Sequence, residues 1–116
     1  MVFYRSRIEL KGMKELAERA VACKHWRWMP GMLALDTGLR LDEMTDDWEA
    51  ALPDLTDPAT LGCLLALVRE AHSDPNASVY HVDGWWWVSL RGRPVELYPE
   101  GATEAEALVA ALEAAP

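Results

Sequence analysis

Two cysteines and three histidines are the side chains most able to bind a transition metal or act in nucleophilic chemistry: Cys23, His25, Cys63, His72 and His81. Zinc sites usually contain Cys or His pairs separated by about two to five residues. The one close pair here is Cys23 and His25, with a single residue between them. We therefore predict no metal and no other cofactor, and two free thiols in a reducing compartment.

A catalytic pair of Cys63 and His72 is also disfavoured. The two residues are nine positions apart on one predicted helix. Because each helical residue turns the chain by about 100°, their side chains point to opposite sides. The sequence also lacks a phosphate-binding loop, a Gly-x-Ser-x-Gly elbow, a His-Glu-x-x-His motif and a dinucleotide fingerprint. These observations predict a protein that is not an enzyme.

Acidic side chains are concentrated between residues 42 and 57, where no basic residue interrupts them. The whole chain has 11 Lys and Arg against 19 Asp and Glu, a formal charge of −8, although residues 1–27 are net basic. This balance disfavours a general nucleic-acid binder. The acidic stretch is either a solvated loop or a surface that docks on a basic partner by imitating nucleic-acid phosphates. Its candidate contact residues are Asp42, Glu43, Asp46 and Asp47.

Six tryptophans in 116 residues are the most unusual feature of the composition. Three of them are consecutive, and alternation along a strand places Trp85 and Trp87 on one face and Trp86 on the other. Two interpretations remain open: a sheet covered on both faces, or an exposed aromatic surface of the kind found in protein–protein contacts. The candidate partner-binding tryptophans are Trp26, Trp28, Trp85 and Trp87.

Apolar periodicity predicts three helices that frame these residues. The first covers about 11–23. The second is the clearest, since Asp57 is a good N-cap and Pro58 suits the first helical position. The third follows a capping-box pattern from Thr103 to Glu106.

Alternating segments and turn residues predict four or five strands. Residues 32–41 have the pattern of a hairpin, Asp83-Gly84 is a strong two-residue hairpin signal between two further strands, and 94–98 resembles an edge strand. The order is α-ββ-α-βββ-α. This predicts a single α+β domain over residues 1–116, an antiparallel sheet packed with three helices, with 1–10 as a flexible or edge segment.

Three stretches carry a resemblance to known proteins: Cys23 to Met32, Asp54 to Leu65, and Gly84 to Val88. From Met13 onward the chain resembles small uncharacterised proteins encoded in tailed-phage and prophage genomes, some of them described as a phage helix–sheet–helix sandwich domain. The region 36–53 is the least similar. The resemblance implies a viral accessory protein in the cytoplasm of a host bacterium. It implies no activity and no functional residue.

The sequence as a whole predicts a cytoplasmic, non-enzymatic accessory protein that binds a host or phage protein, with host takeover or counter-defence as its role. One alternative is a nucleic-acid-binding factor that uses Arg5, Arg7, Lys11, Arg27 and the tryptophans. A second is a self-associating structural protein, in which a tryptophan face pairs with its twin in a homodimer. No apolar run approaches the length of a membrane span.

Overall fold

A computed structural model of the chain describes residues 7–43 and 51–116, and side chains from Leu10 onward within them, except that of Glu43. Three helices are found where the sequence predicted them. Helix α1 covers Arg7–Ala22, α2 covers Pro58–Ala71 and α3 covers Glu104–Glu113. Helix α1 begins about one turn before its predicted start.

Both predicted N-caps are present. The Asp57 carboxylate accepts a hydrogen bond of 2.9 Å from the Thr60 N–H at the start of α2. At the start of α3 the Thr103 hydroxyl accepts one of 3.1 Å from the Glu106 N–H, and the Glu106 carboxylate accepts one from the Ala102 N–H at 2.8 Å. These bonds satisfy amides that have no partner inside a helix, which explains why the helices begin here.

An antiparallel sheet follows α2. Its strands are β1 at Ser78–Val82, β2 at Trp85–Ser89 and β3 at Glu100–Gly101, in the order β1-β2-β3. The turn between β1 and β2 has positive φ at both central residues, 52° at Asp83 and 77° at Gly84, as the Asp-Gly signal predicted. The α+β class is confirmed. The prediction of four or five strands was too high, since the described residues contain three.

The predicted edge strand at 94–98 is instead a 3-10 turn over Val95–Leu97. The Leu97 N–H donates to the Pro94 carbonyl at 2.9 Å, and the Tyr98 N–H donates to the Val95 carbonyl at 3.1 Å. An edge strand would donate one of these two N–H groups across the sheet, and here both are used locally. The partner of β2 is the short strand β3 a few residues later.

The predicted hairpin at 32–41 is reduced to one antiparallel bridge, Leu33 with Arg40, and Ala34 forms a second bridge with Pro53. The backbone bonds of the hairpin are made, for example from the Ala34 N–H to the Leu39 carbonyl at 2.9 Å, but they flank only the single pair of Leu33 and Arg40. The Leu33 N–H faces away from Arg40 and donates to the Thr60 hydroxyl at 2.9 Å. This segment is thereby attached to the start of α2.

Helix α3 is the element around which the others pack. It contacts α1, α2 and all three strands. Its side chains supply a large part of the core, the buried ones being Ala105, Ala107, Leu108, Val109, Ala111 and Leu112. The sheet is thus covered by a helix on the α3 side. Among the described helices, none combines the length and the apolar character needed to cross a membrane.

Strand β3 approaches α3 very closely at Gly101. A Cβ atom at this position would lie 2.5 Å from the Glu106 Cβ and 2.7 Å from the Ala107 backbone nitrogen. Both distances are shorter than van der Waals contact. Only glycine allows the first turn of α3 to pack on the strand in this way.

An ion pair connects the 31–41 segment to the N-cap of α2. The Arg40 guanidinium donates to both Asp57 oxygens, at 2.9 and 3.1 Å, and to the Gly31 carbonyl at 2.8 Å. The Arg40 contact, together with the hydrogen bonds from Thr60, lowers the pKa of Asp57 from 3.8 to about 2. The carboxylate therefore stays charged in the folded protein at pH values where it is protonated in the unfolded chain.

This pair predicts a specific acid sensitivity. Because the pKa is lowered in the folded state, the stabilisation is present above about pH 4 and is lost as the pH falls towards 2. We expect a loss of about 1 kcal/mol, reduced by the half-exposed position of Arg40. When urea unfolding is measured between pH 5 and 2, the free energy of unfolding of the wild type should fall by this additional amount, and that of Asp57→Asn should not. Asp36→Asn is the control and should keep the pH dependence of the wild type. The same pH dependence in Asp57→Asn would contradict the prediction.

Candidate functional site

The two faces of the sheet have different environments. In the antiparallel register Val79 lies opposite Val88, and His81 lies opposite Trp86. This is the face that packs towards α3, since Val88 is fully buried and Val79 and Trp86 contact the core. Residues on the alternate positions belong to the other face, which we call the open face: Ser78, Tyr80, Val82, Trp85, Trp87, Ser89 and Glu100.

Aromatic rings dominate the open face. Tyr80 and Trp87 are cross-strand partners, and their rings stack with centroids 5.8 Å apart and planes inclined by 19°. The Trp87 indole N–H donates to the Glu100 carboxylate at 2.9 Å. At the hairpin end, Val82 is 46% exposed and Trp85 is 38% exposed. The sequence prediction that Trp85 and Trp87 share a face agrees with the register.

A groove of about 340 Å³ runs along this face. It is lined by Tyr80, Val82, Trp87, Val95, Glu96 and Glu100. The 3-10 turn forms one wall, where Val95 is 60% exposed and the neighbouring Leu97 is 64% exposed. The groove therefore combines two aromatic rings, two aliphatic side chains and two carboxylates.

The other two candidate tryptophans lie in a different part of the fold. Trp26 and Trp28 are in the loop after α1, half-buried against the helical core, with their rings edge to face at 5.8 Å. Between them, Arg27 forms an exposed ion pair of 2.8 Å with Glu70 of α2. The structure thus separates these tryptophans from the open face. It also places Arg27, one of the basic residues of the nucleic-acid alternative, in an ion pair with Glu70.

The acidic candidates are only partly described. Asp42 is exposed in a 3-10 turn at Leu41–Glu43, which also contains the Glu43 backbone. Asp46 and Asp47 lie outside the described residues. Asp42 is also absent from the lining of the open-face groove. The acidic stretch therefore remains a separate candidate surface.

The cysteines and histidines are dispersed among structural contacts. The Cys23 thiol donates to the Arg19 carbonyl, and the Cys63 thiol points to the Pro30 carbonyl. Both thiols are free, and burial raises the pKa of each. Nε2 of His72 hydrogen-bonds the Ala111 carbonyl at 2.7 Å. Cys63 and His72 thus contact different segments, as their helical spacing predicted. Among the described residues, no three Cys, His, Asp or Glu side chains form a metal-binding group.

A second cavity of about 310 Å³ lies between α1 and the starts of α2 and α3. Its walls are mainly apolar, with Met13, Leu16, Leu55 and Leu61 among them. Its polar lining residues are Thr56, Thr103, Glu104 and Glu106, of which Thr103 and Glu106 are already used as caps of α3. Its described lining contains no aromatic ring, in contrast to that of the open-face groove.

Sequence analysis missed Tyr80, Val82, Glu96 and Glu100 as site residues. A signal existed for the first two, because a two-residue Asp-Gly turn pairs Val82 with Trp85 and hence Tyr80 with Trp87. Glu96 and Glu100 are brought to the groove by the 3-10 turn and the short strand β3. Neither of those elements was predicted.

Comparison with known proteins gave no relative for this chain. No protein-family profile matches it, and no curated protein and no solved structure is significantly similar.

Proposed function

We propose that this protein is a non-enzymatic interaction module that binds a partner protein through the open face of its sheet. The observation that carries the proposal is the exposure of Val82 and Trp85 beside the Tyr80–Trp87 stack. No described element packs over these side chains as α3 does over the other face. A contiguous apolar surface of this kind favours association, because burying it removes apolar area from water.

The rings of the open face are also held in place before any partner binds. Trp87 is fixed by its stack on Tyr80 and by its hydrogen bond to Glu100. Ordered side chains lose little conformational entropy on binding, so more of the contact energy contributes to affinity. Aromatic residues in this condition are typical binding hot spots.

A catalytic site is a weaker interpretation of the same groove. Its described lining contains no Ser, Cys or His side chain that could serve as a nucleophile or an imidazole base. The phage resemblance adds the expectation that the partner is a host or phage protein and that binding serves host takeover or counter-defence. Both expectations remain part of the proposal.

An affinity pull-down from bacterial lysate, with and without nuclease, tests the proposal. The variant Val82→Ser/Trp85→Ser makes the open face polar at exposed positions, and Leu10→Ser on α1, 39% exposed, is the matched control. We expect a protein that survives nuclease, is lost with the open-face variant and is retained with Leu10→Ser. The variant Asp46→Lys/Asp47→Lys tests the acidic stretch in parallel.

Other results would overturn it. A captured protein lost only with Asp46→Lys/Asp47→Lys would move the site to the acidic stretch. Loss on nuclease treatment would favour the nucleic-acid alternative. If no lane captures a protein and the wild type elutes as an oligomer that Val82→Ser/Trp85→Ser dissociates, the open face serves self-association instead.

A further inference from the structure

We infer that the open-face groove binds a cationic side chain, specifically an arginine, presented by a segment of the partner protein. This inference rests on the proposed function and specifies the chemistry of the partner.

The aromatic wall provides the first contact. The electron-rich faces of tryptophan and tyrosine attract cations, most strongly in the case of tryptophan. Tyr80 and Trp87 both line the groove, and their stacking leaves one face of each ring outside the stack. The groove volume of about 340 Å³ lies within the range of pockets that hold small ligand groups.

The carboxylates provide the second contact. Glu96 and Glu100 are the charged groups of the lining, and no Lys or Arg of the described residues belongs to it. Glu100 accepts one hydrogen bond from the Trp87 indole through a single oxygen. Glu96 makes no ion pair or hydrogen bond with another described residue. Within the described part of the chain, the groove therefore has two negative charges beside its rings and no positive charge in its lining that balances them.

This combination discriminates among ligands. Nucleic-acid phosphates are repelled by the two carboxylates. A lysine ammonium is attracted but stays strongly hydrated, whereas a guanidinium is planar, less hydrated, stacks on aromatic rings and donates two parallel hydrogen bonds to a carboxylate. An arginine side chain can therefore stack on the rings and hydrogen-bond to the carboxylates at the same time.

Calorimetric titration of the purified full chain with tetra-arginine, tetra-lysine and tetra-glutamate peptides tests this inference. The groove variant is Glu96→Gln/Glu100→Gln. The matched control is Glu18→Gln/Asp36→Asn, which removes the same charge at exposed positions outside the groove. We expect tetra-arginine to bind most tightly and tetra-glutamate not to bind. The groove variant should weaken tetra-arginine binding at least about fivefold, with the control within about twofold.

A Trp87→Leu variant separates the aromatic contribution from the charge, and it should weaken tetra-arginine more than tetra-lysine. Equal weakening by the groove variant and the control would show attraction to the net charge alone and overturn the inference. Equal affinity for the arginine and lysine peptides would overturn the preference for arginine. If no peptide binds while capture of a protein in the pull-down still depends on Val82 and Trp85, the proposed function stands and this inference fails.

Discussion

Replacing Gly101 with alanine is expected to lower the free energy of unfolding by about 3 kcal/mol. The added Cβ would meet the Ala107 backbone nitrogen at 2.7 Å and the Glu106 Cβ at 2.5 Å. A backbone atom in the first turn of a helix cannot rotate away as a long side chain can. Strand β3 must therefore move off α3, and Trp86, which pairs with Gly101, loses packing as well.

Urea unfolding followed by circular dichroism measures this effect, and Gly62→Ala is its matched control. Gly62 is exposed in the middle of α2, and a Cβ there would meet nothing within 4 Å. Alanine at this position should raise the free energy of unfolding by about 1 kcal/mol, because it restricts the unfolded chain and favours the helix. Opposite signs for the two substitutions are the expected result. A stable Gly101→Ala protein would show that β3 does not pack on α3 in this manner.

The second large effect is expected at Leu108, which is fully buried in α3. Leu108→Ala should lower the free energy of unfolding by about 3 kcal/mol, within a range of about 2–5, because it removes buried apolar contacts and leaves a cavity. Helix α3 touches both helices and all three strands, so few neighbours are free to collapse into that space. The unfolding midpoint in urea should fall with little change in the slope.

Leu97→Ala is the control for this measurement. Leu97 is 64% exposed at the 3-10 turn, so its truncation should change the free energy of unfolding by no more than about 0.5 kcal/mol. Comparable losses for Leu97 and Leu108 would contradict the central position of α3.

Features encoded by adjacent residues were predictable from the sequence, whereas those decided by distant partners were not. Asp57-Pro58 and the Thr103 capping box act within one helical turn, so both helix starts were predicted correctly. Leu33 shows the opposite case. Its segment forms the backbone bonds of the predicted hairpin, but the outer edge of that hairpin bonds to distant residues, with the Leu33 N–H donating to the Thr60 hydroxyl, 27 residues away. No local pattern reports those distant partners.

The residues of the candidate site show the same difference between local patterns and distant partners. Strand alternation was enough to place Trp85 and Trp87 together. Trp26 and Trp28 also alternate, but their segment is a loop packed on the helices, and alternation has no such meaning outside a strand. Glu96 and Glu100 come to the groove through a 3-10 turn that depends on where β3 pairs.

The central position of α3 also has a consequence for synthesis on the ribosome. The helix follows every other described element in chain order, yet it contacts α1, α2 and the whole sheet. Earlier elements cannot bury their shared core until residues 104–113 have been translated and have left the exit tunnel. Their apolar surfaces therefore stay accessible to chaperones and proteases until α3 has emerged.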